Sequence, residues 1–559
     1  MKPTKTPRKA ALGLLAASLL ALPLAARADE KEDLEKLRAT VLGLIETLVK
    51  AGVVPRAQLD AMMREAQRRA DAQIAAAPAP ELAADGKKIV RVPYIPEAVR
   101  VQLREQIKAE LLAQQGATAA GGPGAANAVA EAGSRVQFEG DMRLRAESIR
   151  LAADNTAARV IGASSPELTR APDFWANPNA NTHEGQSRSR VRARLGVNVA
   201  VADTVTAGVS ISTGGTTGPT STNQTIAAGA SNTPGFFNKY GAVIDKAYLR
   251  YAPTANLSLS GGRFRNPFLG TDLLWADDLN FEGFAGSWKA APGTLMDSFV
   301  TAGWFPLSFA VPGAQSSRSL TGVQTGVNWQ FGTRENRLRL GAALYAYKGI
   351  EGVKETTADK TTVPDYVVRS EYGSGFRQRG NTLFRVNSNL ASDTATNWGL
   401  ASGFRELNLT AVLDIAQFDP LHIVLTGDLV RNLAFDPAEM RRRSGTQLQG
   451  GNATGYQARV LVGTPVIRQA SEWNVGLAYR RLGSDAVVDA FTHSDFGLGG
   501  TNNQGFVLSG SYGIAKNAWL AARWMSSNAL ESLVPGVPGN APTTKFSVDT
   551  LQLELNARF

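Results

Sequence analysis

Four arginines recur at every second position of one short stretch: Arg188, Arg190, Arg192 and Arg194. A spacing of two places them on one face if that stretch is a strand. Guanidinium groups stacked in this way repel one another unless carboxylates or anions lie close. Two acids at the same spacing, Glu139 and Asp141, stand in an upstream alternating segment. Three more, Asp272, Asp277 and Asp278, fall in a connecting stretch, 266–280. Two arrangements follow. The ladder is salt-bridged to neighbouring strands away from any narrowing, or it faces the acids of 266–280 across a gap and makes a charged constriction. The three aspartates lack the full spacing of a calcium loop, and the sequence carries no metal or nucleotide motif.

The elements that must position these residues are strands. Val136, Phe138, Met142 and Leu144 alternate with polar residues from Arg135 to Arg145, and Val191, Ala193, Leu195, Val197 and Val199 alternate with the arginine ladder and Asn198. The last nine residues repeat the pattern, with Leu551, Leu553, Leu555, Ala557 and Phe559 on one parity. Sixteen such stretches run from 135–147 to 546–559, each about ten residues long, enough to cross a bilayer at a tilt. Their connections alternate. Long ones are 148–186, 214–242, 266–280, 306–320, 349–403, 432–453, 483–503 and 527–545, and short ones include Ala202-Asp203, Pro253 to Asn256, Asp419-Pro420 and Ile514 to Asn517. Phe546 and Val548 are out of phase with Leu551 to Phe559, which predicts either a bulge near Asp549-Thr550 or a later strand start.

In lipid every backbone N–H and C=O needs a partner, so amphipathic strands must close into a barrel. The apolar parity faces lipid and the charged parity faces a hydrated interior, for which sixteen strands leave room. The fold expected is an all-β transmembrane antiparallel barrel over 135–559, of about sixteen strands, preceded by a small α-helical, partly coiled-coil segment. Tyr251, Trp288, Trp304, Trp329, Trp473, Tyr479, Tyr512, Trp519 and Trp524 are candidates for interfacial girdles, whereas Tyr248, Tyr345 and Tyr347 have the inward parity.

Upstream, residues 1–28 have the form of an export signal, with Lys2, Lys5, Arg8 and Lys9, an apolar run from Ala10, and Ala26-Arg27-Ala28 as the cleavage site. Its five cations and no acid lower the formal charge from +10 to +5, so the basicity is no argument for nucleic acid. With no cysteine, disulfides, cysteine-ligated zinc and covalent haem attachment are excluded. Residues 29–74 read as helical, and Leu34, Leu37, Val41, Leu44 and Leu48 form an a/d seam. The seam is served by a second chain or by the next helix. An Ala/Pro linker over 75–86, a second helical segment over 87–115 and a flexible linker over 116–134 follow.

Three stretches together resemble the "putative porin" family of Gram-negative outer membranes: VPYIPEAVRVQLREQIKAELLAQ at 92–114, GRFRNPFLGTDLLWADDLNFEG at 262–283, and the strand ending in Phe559. The resemblance implies a porin with an N-terminal periplasmic helical part, without cofactor, in contact with outer-membrane lipid and passing small hydrophilic solutes or ions. It makes Phe559 resemble the signal read by the outer-membrane assembly machinery. Trimers are the habit of sixteen-stranded porins, and in general porins the third outer loop folds inward with acids facing a basic wall. By that analogy Arg188, Arg190, Arg192, Arg194, Glu139, Asp141, Asp272, Asp277 and Asp278 are the pore-lining candidates. Asn266-Pro267-Phe268 departs from the loop motif of the general diffusion porins. Two other functions fit a barrel: a scaffold for a partner such as a periplasmic electron-transfer protein, and a lipid hydrolase with a Ser/His dyad. The hydrolase would need a serine paired with His183, His422 or His493, and the sequence assigns no serine partner to any of the three.

Overall fold

The computed structural model describes residues 135–559, apart from 161–167, 172–179, 229–234, 312–315, 333–335, 356–369, 388–395, 447–449 and 536–542. The signal, helices and linkers read above, and the seam at Leu34 to Leu48, lie outside the described residues.

Sixteen long strands follow one another: β1 (Val136–Leu151), β2 (Gln186–Ala202), β3 (Val205–Thr213), β4 (Ala242–Tyr251), β5 (Leu257–Arg265), β6 (Asn280–Lys289), β7 (Met296–Ser308), β8 (Arg318–Phe331), β9 (Asn336–Lys348), β10 (Arg405–Phe418), β11 (Leu421–Asn432), β12 (Thr454–Gly463), β13 (Trp473–Leu482), β14 (Asn503–Ala515), β15 (Ala518–Ala529) and β16 (Ser547–Arg558). Each pairs antiparallel with the next, and β16 pairs with β1, so the barrel is closed and no edge is left open.

Alternation decides which face is which. Phe138, Met142 and Leu144 on β1, and Leu551, Leu553 and Leu555 on β16, are exposed on the outer wall, where lipid replaces water. Tyr251, Trp288, Trp304, Trp329, Trp473, Tyr512 and Trp524 are exposed there too. Trp519 is not: it has the parity of Arg523 and lines an interior cavity, with the Arg558 guanidinium 5.3 Å from its ring centre. Tyr345 and Tyr347 are buried inside, and Tyr248 donates to Asn198 Oδ1 at 3.0 Å.

The β1–β16 register runs without a break from Asp141 opposite Arg558 to Leu151 opposite Val548. The bulge expected near Asp549-Thr550 is absent. Val548 keeps the inward parity of Thr550 and Gln552, but at the long-loop end that parity meets apolar groups: Ile149, Leu533, Val534 and Phe546 are buried with it. The phase of the pattern is constant, and the environment changes.

The long loops build this interior lid. Leu383–Arg385 pairs with Trp398–Leu400 and with Leu168–Thr169 in a small separate sheet. Helix α1 (Pro437–Ser444) begins where the Asp436 side chain accepts from Ala438 and Glu439. Stretch 266–279 enters the barrel. Its Phe268, Leu273, Leu274, Trp275 and Leu279 are buried against inward aromatic rings of the wall, Phe281, Phe305 and Tyr345. Trp275 lies edge-on to Phe281 and Tyr345, with centroids 5.0 and 5.1 Å apart. An apolar inward face would be wetted in an open pore, and the loop's apolar residues cover it.

Candidate functional site

The arginine ladder on β2 faces β1 across a register that sets Arg188 against Glu147, Arg190 against Arg145, Arg192 against Arg143 and Arg194 against Asp141. Two strands therefore make one basic wall, and carboxylates divide it. Arg192 Nη2 and Arg194 Nε donate to Asp141 at 2.8 and 2.7 Å. The Nη1 atoms of the same two residues donate to Asp278 Oδ1, each at 3.0 Å. Higher on the wall, Arg188 Nε donates to Glu147 at 2.5 Å. Arg190 has only looser ion pairs, 4.0 Å to Glu147 and 3.8 Å to Asp495.

Glu139 stands apart from the ladder and accepts from Lys246 Nζ at 2.7 Å. Asp272 also stands apart. It accepts from Gln457 on β12 at 3.0 Å, lies 3.7 Å from His493 Nε2, and its carbonyl accepts from Arg480 on β13 at 3.0 Å. Its neighbours hold the loop as well. Thr271 Oγ1 donates to Asp428 on β11 at 2.5 Å, and Leu269 exchanges two bonds of 2.7 Å with the Gln324 amide on β8. Loop 266–279 thus reaches from β5 and β6 to the far wall at one end and to the ladder at the other. Asp277, next to Asp278, forms no hydrogen bond or ion pair among the described residues. It lines a cavity of about 740 Å³ together with Arg143, Arg192, Arg194, Arg523 and Glu554.

The loop charges respond to this setting. Burial would raise the Asp272 carboxyl, but the adjoining His493 ring, the Arg480 guanidinium and the Gln457 bond hold it down at about 2. Burial, and after it the nearby Asp272, push Asp277 up. Asp495 is also desolvated, yet Arg145 above all keeps it far below the usual carboxylate range.

A sequence model described as "Putative porin" matches residues 38–559. The chain belongs to that family. No curated protein matches it. Among solved structures it is similar to the outer membrane channel DcaP of Acinetobacter baumannii, at 13% identity and a TM-score of 0.37 over 76% of this chain and 97% of that one. It is similar to OprB of Pseudomonas putida, at 10% identity and a TM-score of 0.41 over 78% and 96%. An anion-selective porin from Comamonas acidovorans gives 10% identity and a TM-score of 0.36 over 76% and 99%.

This porin's wall holds more than the ladder. Arg145 is buried and donates to Glu554 at 2.7 Å and to Asp495 at 2.6 Å, and Gln552 donates to Glu147 at 2.8 Å. Parity could have found Arg143, Arg145, Glu147 and Glu554, since all four share the inward face. Asp495 and His493 had no such signal. They sit in 483–502, a second loop inside the barrel, joined to the first where Ala276 N–H donates to the Phe491 carbonyl at 2.8 Å. His493 Nδ1 accepts from the backbone of Asp495 and Phe496, and His422 Nδ1 lies 2.6 Å from Asp414. His183 Nδ1 meets the neighbouring Thr182 hydroxyl at 2.8 Å. Fold and family are those of a channel rather than an enzyme.

Proposed function

We propose that this porin passes small hydrophilic solutes and ions through a gap between the β1–β2 arginine wall and the inward loop 266–279, the charged constriction of a water-filled outer-membrane channel. One observation carries this reading. Asp278 is clamped by Arg192 and Arg194, while its neighbour Asp277 stays unpaired on the cavity those arginines line. Acid on one side and base on the other make a transverse field, which orients dipolar solutes and sorts ions. Asp272 holds the far end of the loop, Glu139 restrains Lys246 below it, and Arg188 and Arg190 continue the wall above.

The short turns face the periplasm in this proposal. The export signal is removed after Ala28, and the helices of 29–115 remain periplasmic on flexible linkers. The seam at Leu34, Leu37, Val41, Leu44 and Leu48 joins copies of the chain, with a trimer favoured. Replacing Arg190 and Arg192 by Glu tests the constriction. In planar bilayers under a salt gradient the reversal potential shifts toward cation preference. An unchanged reversal potential rejects the gap.

A further inference from the structure

A second cavity, of about 420 Å³, opens on the interior near the turn 252–256 and shares Glu139, Lys246 and Arg265 with the larger one. That volume is in the range of small-molecule sites. Four cations line it, Lys246, Arg250, Arg265 and Lys289, against the single carboxylate of Glu139. Glu139 is taken by Lys246 at 2.7 Å. Arg250, Arg265 and Lys289 have no carboxylate within 4.0 Å among the described residues. Such like charges raise one another's energy, and an anion between them relieves it.

The rest of the lining is neither acidic nor simply apolar. Ser258 and Ser287 are paired across β5 and β6, Arg250 Nε donates to the Ser258 hydroxyl at 2.7 Å, and Lys289 lies two residues beyond Ser287 on the same face. That leaves the terminal nitrogens of Arg250 without an acceptor among the described residues, beside a row of hydroxyls. The rings of Tyr248 and Phe264 close the cavity on another side. Cations suit a carboxylate. Hydroxyls suit hydroxyls, and aromatic faces suit the C–H surfaces of a carbon chain. A chloride-sized ion uses only the first of these three features.

We infer that this cavity is a binding station for small polyhydroxylated carboxylates, of the sugar-acid class, with the carboxylate on Arg250 and Lys289 and the hydroxyls on Ser258 and Ser260. It deepens the porin reading by naming a solute class and placing its station below the gap, toward the short turns.

Gluconate is the probe, with acetate as the carboxylate without hydroxyls and sorbitol as the hydroxyls without charge. Equilibrium dialysis of the full chain folded in detergent finds gluconate bound at least fivefold more tightly than acetate, and sorbitol not retained. Arg250→Gln with Lys289→Gln weakens gluconate about tenfold. Ser260→Ala, a change that leaves every charge and the Arg250–Ser258 bond in place, lowers gluconate binding while leaving acetate unaffected. Gluconate and acetate binding alike, or undiminished gluconate binding in the charge variant, overturns the inference. Bilayer recordings separate it from the porin reading. A chain that binds gluconate but carries no current removes the channel and leaves the station, and one that conducts without binding does the reverse.

Discussion

Gly140 and Phe559 exchange both backbone hydrogen bonds, N–H to carbonyl at 3.0 Å in each direction, and the Phe559 ring occupies the space beside the Gly140 Cα. A Cβ on Gly140 would stand 2.2 Å from Phe559 Cζ. The last residue of the chain is therefore the final rung of barrel closure, laid flat where only glycine lets it lie. Deleting Phe559 lowers the amount of heat-modifiable barrel in the membrane more than it lowers conductance per channel. Gly140→Val, which displaces the ring, gives the same signature in milder form. Gels of unheated and heated membranes read the first quantity and single-channel recording the second. Normal barrel levels after the deletion would falsify this role for Phe559.

Asp278 holds two arginines at once, so its removal changes charge and position together. Asp278→Asn leaves Arg192 and Arg194 to share Asp141. The gap gains a net positive charge, and the reversal potential in a KCl gradient moves toward anion preference. Arg194→Gln moves it the opposite way. Shifts of the same sign in both variants are incompatible with a field set by this cluster.

Strands and closure were legible because the period-2 pattern is a direct consequence of two solvents, lipid outside and water inside. All sixteen stretches coincide with strands to within a few residues, and β1 differs most, running on to Leu151. Its final residues reach the long-loop end, where Ile149 packs inward among apolar loop residues, and alternation carries no polarity signal there. The outer half of the interior was less legible. Tyr345 and Tyr347 were correctly oriented by parity, but what covers them depends on loops that share no periodicity. The acids of 266–280 could be listed from the sequence, but not divided. Only the folded loop distinguishes Asp278 at the ladder from Asp272 on β12 and β13. Asp495 was silent for the same reason, since nothing near it alternates.

Trp275 joins loop 266–279 to the wall and to the second inward loop, where Phe491 lies 6.0 Å from its ring. It is 4% exposed. Trp275→Ala empties a packed interior and costs about 3–5 kcal/mol of local packing. The loop then samples positions away from β9 and β6. Mean single-channel conductance and current noise both rise, and the barrel still migrates as a folded species on unheated gels. Unchanged noise in a folded variant shows that the ring does not restrain the loop.

Asp489, in the second inward loop, offers a test by pH. It is buried and accepts from the Tyr372 hydroxyl. Burial raises its carboxyl from 3.8 to about 6, with the hydrogen bonds opposing. In the unfolded chain the group loses its proton near 3.9. Between these values the folded protein binds the proton more tightly, so stability falls as pH rises from about 4 through 6. Two pKa units correspond to about 3 kcal/mol. Asp489→Asn keeps an acceptor for Tyr372 but has nothing to ionise. The melting temperature of the native chain, minus that of this variant, therefore declines between pH 4 and 7 and is level above that range. Parallel melting curves across the whole range mean that Asp489 is already ionised in the folded barrel.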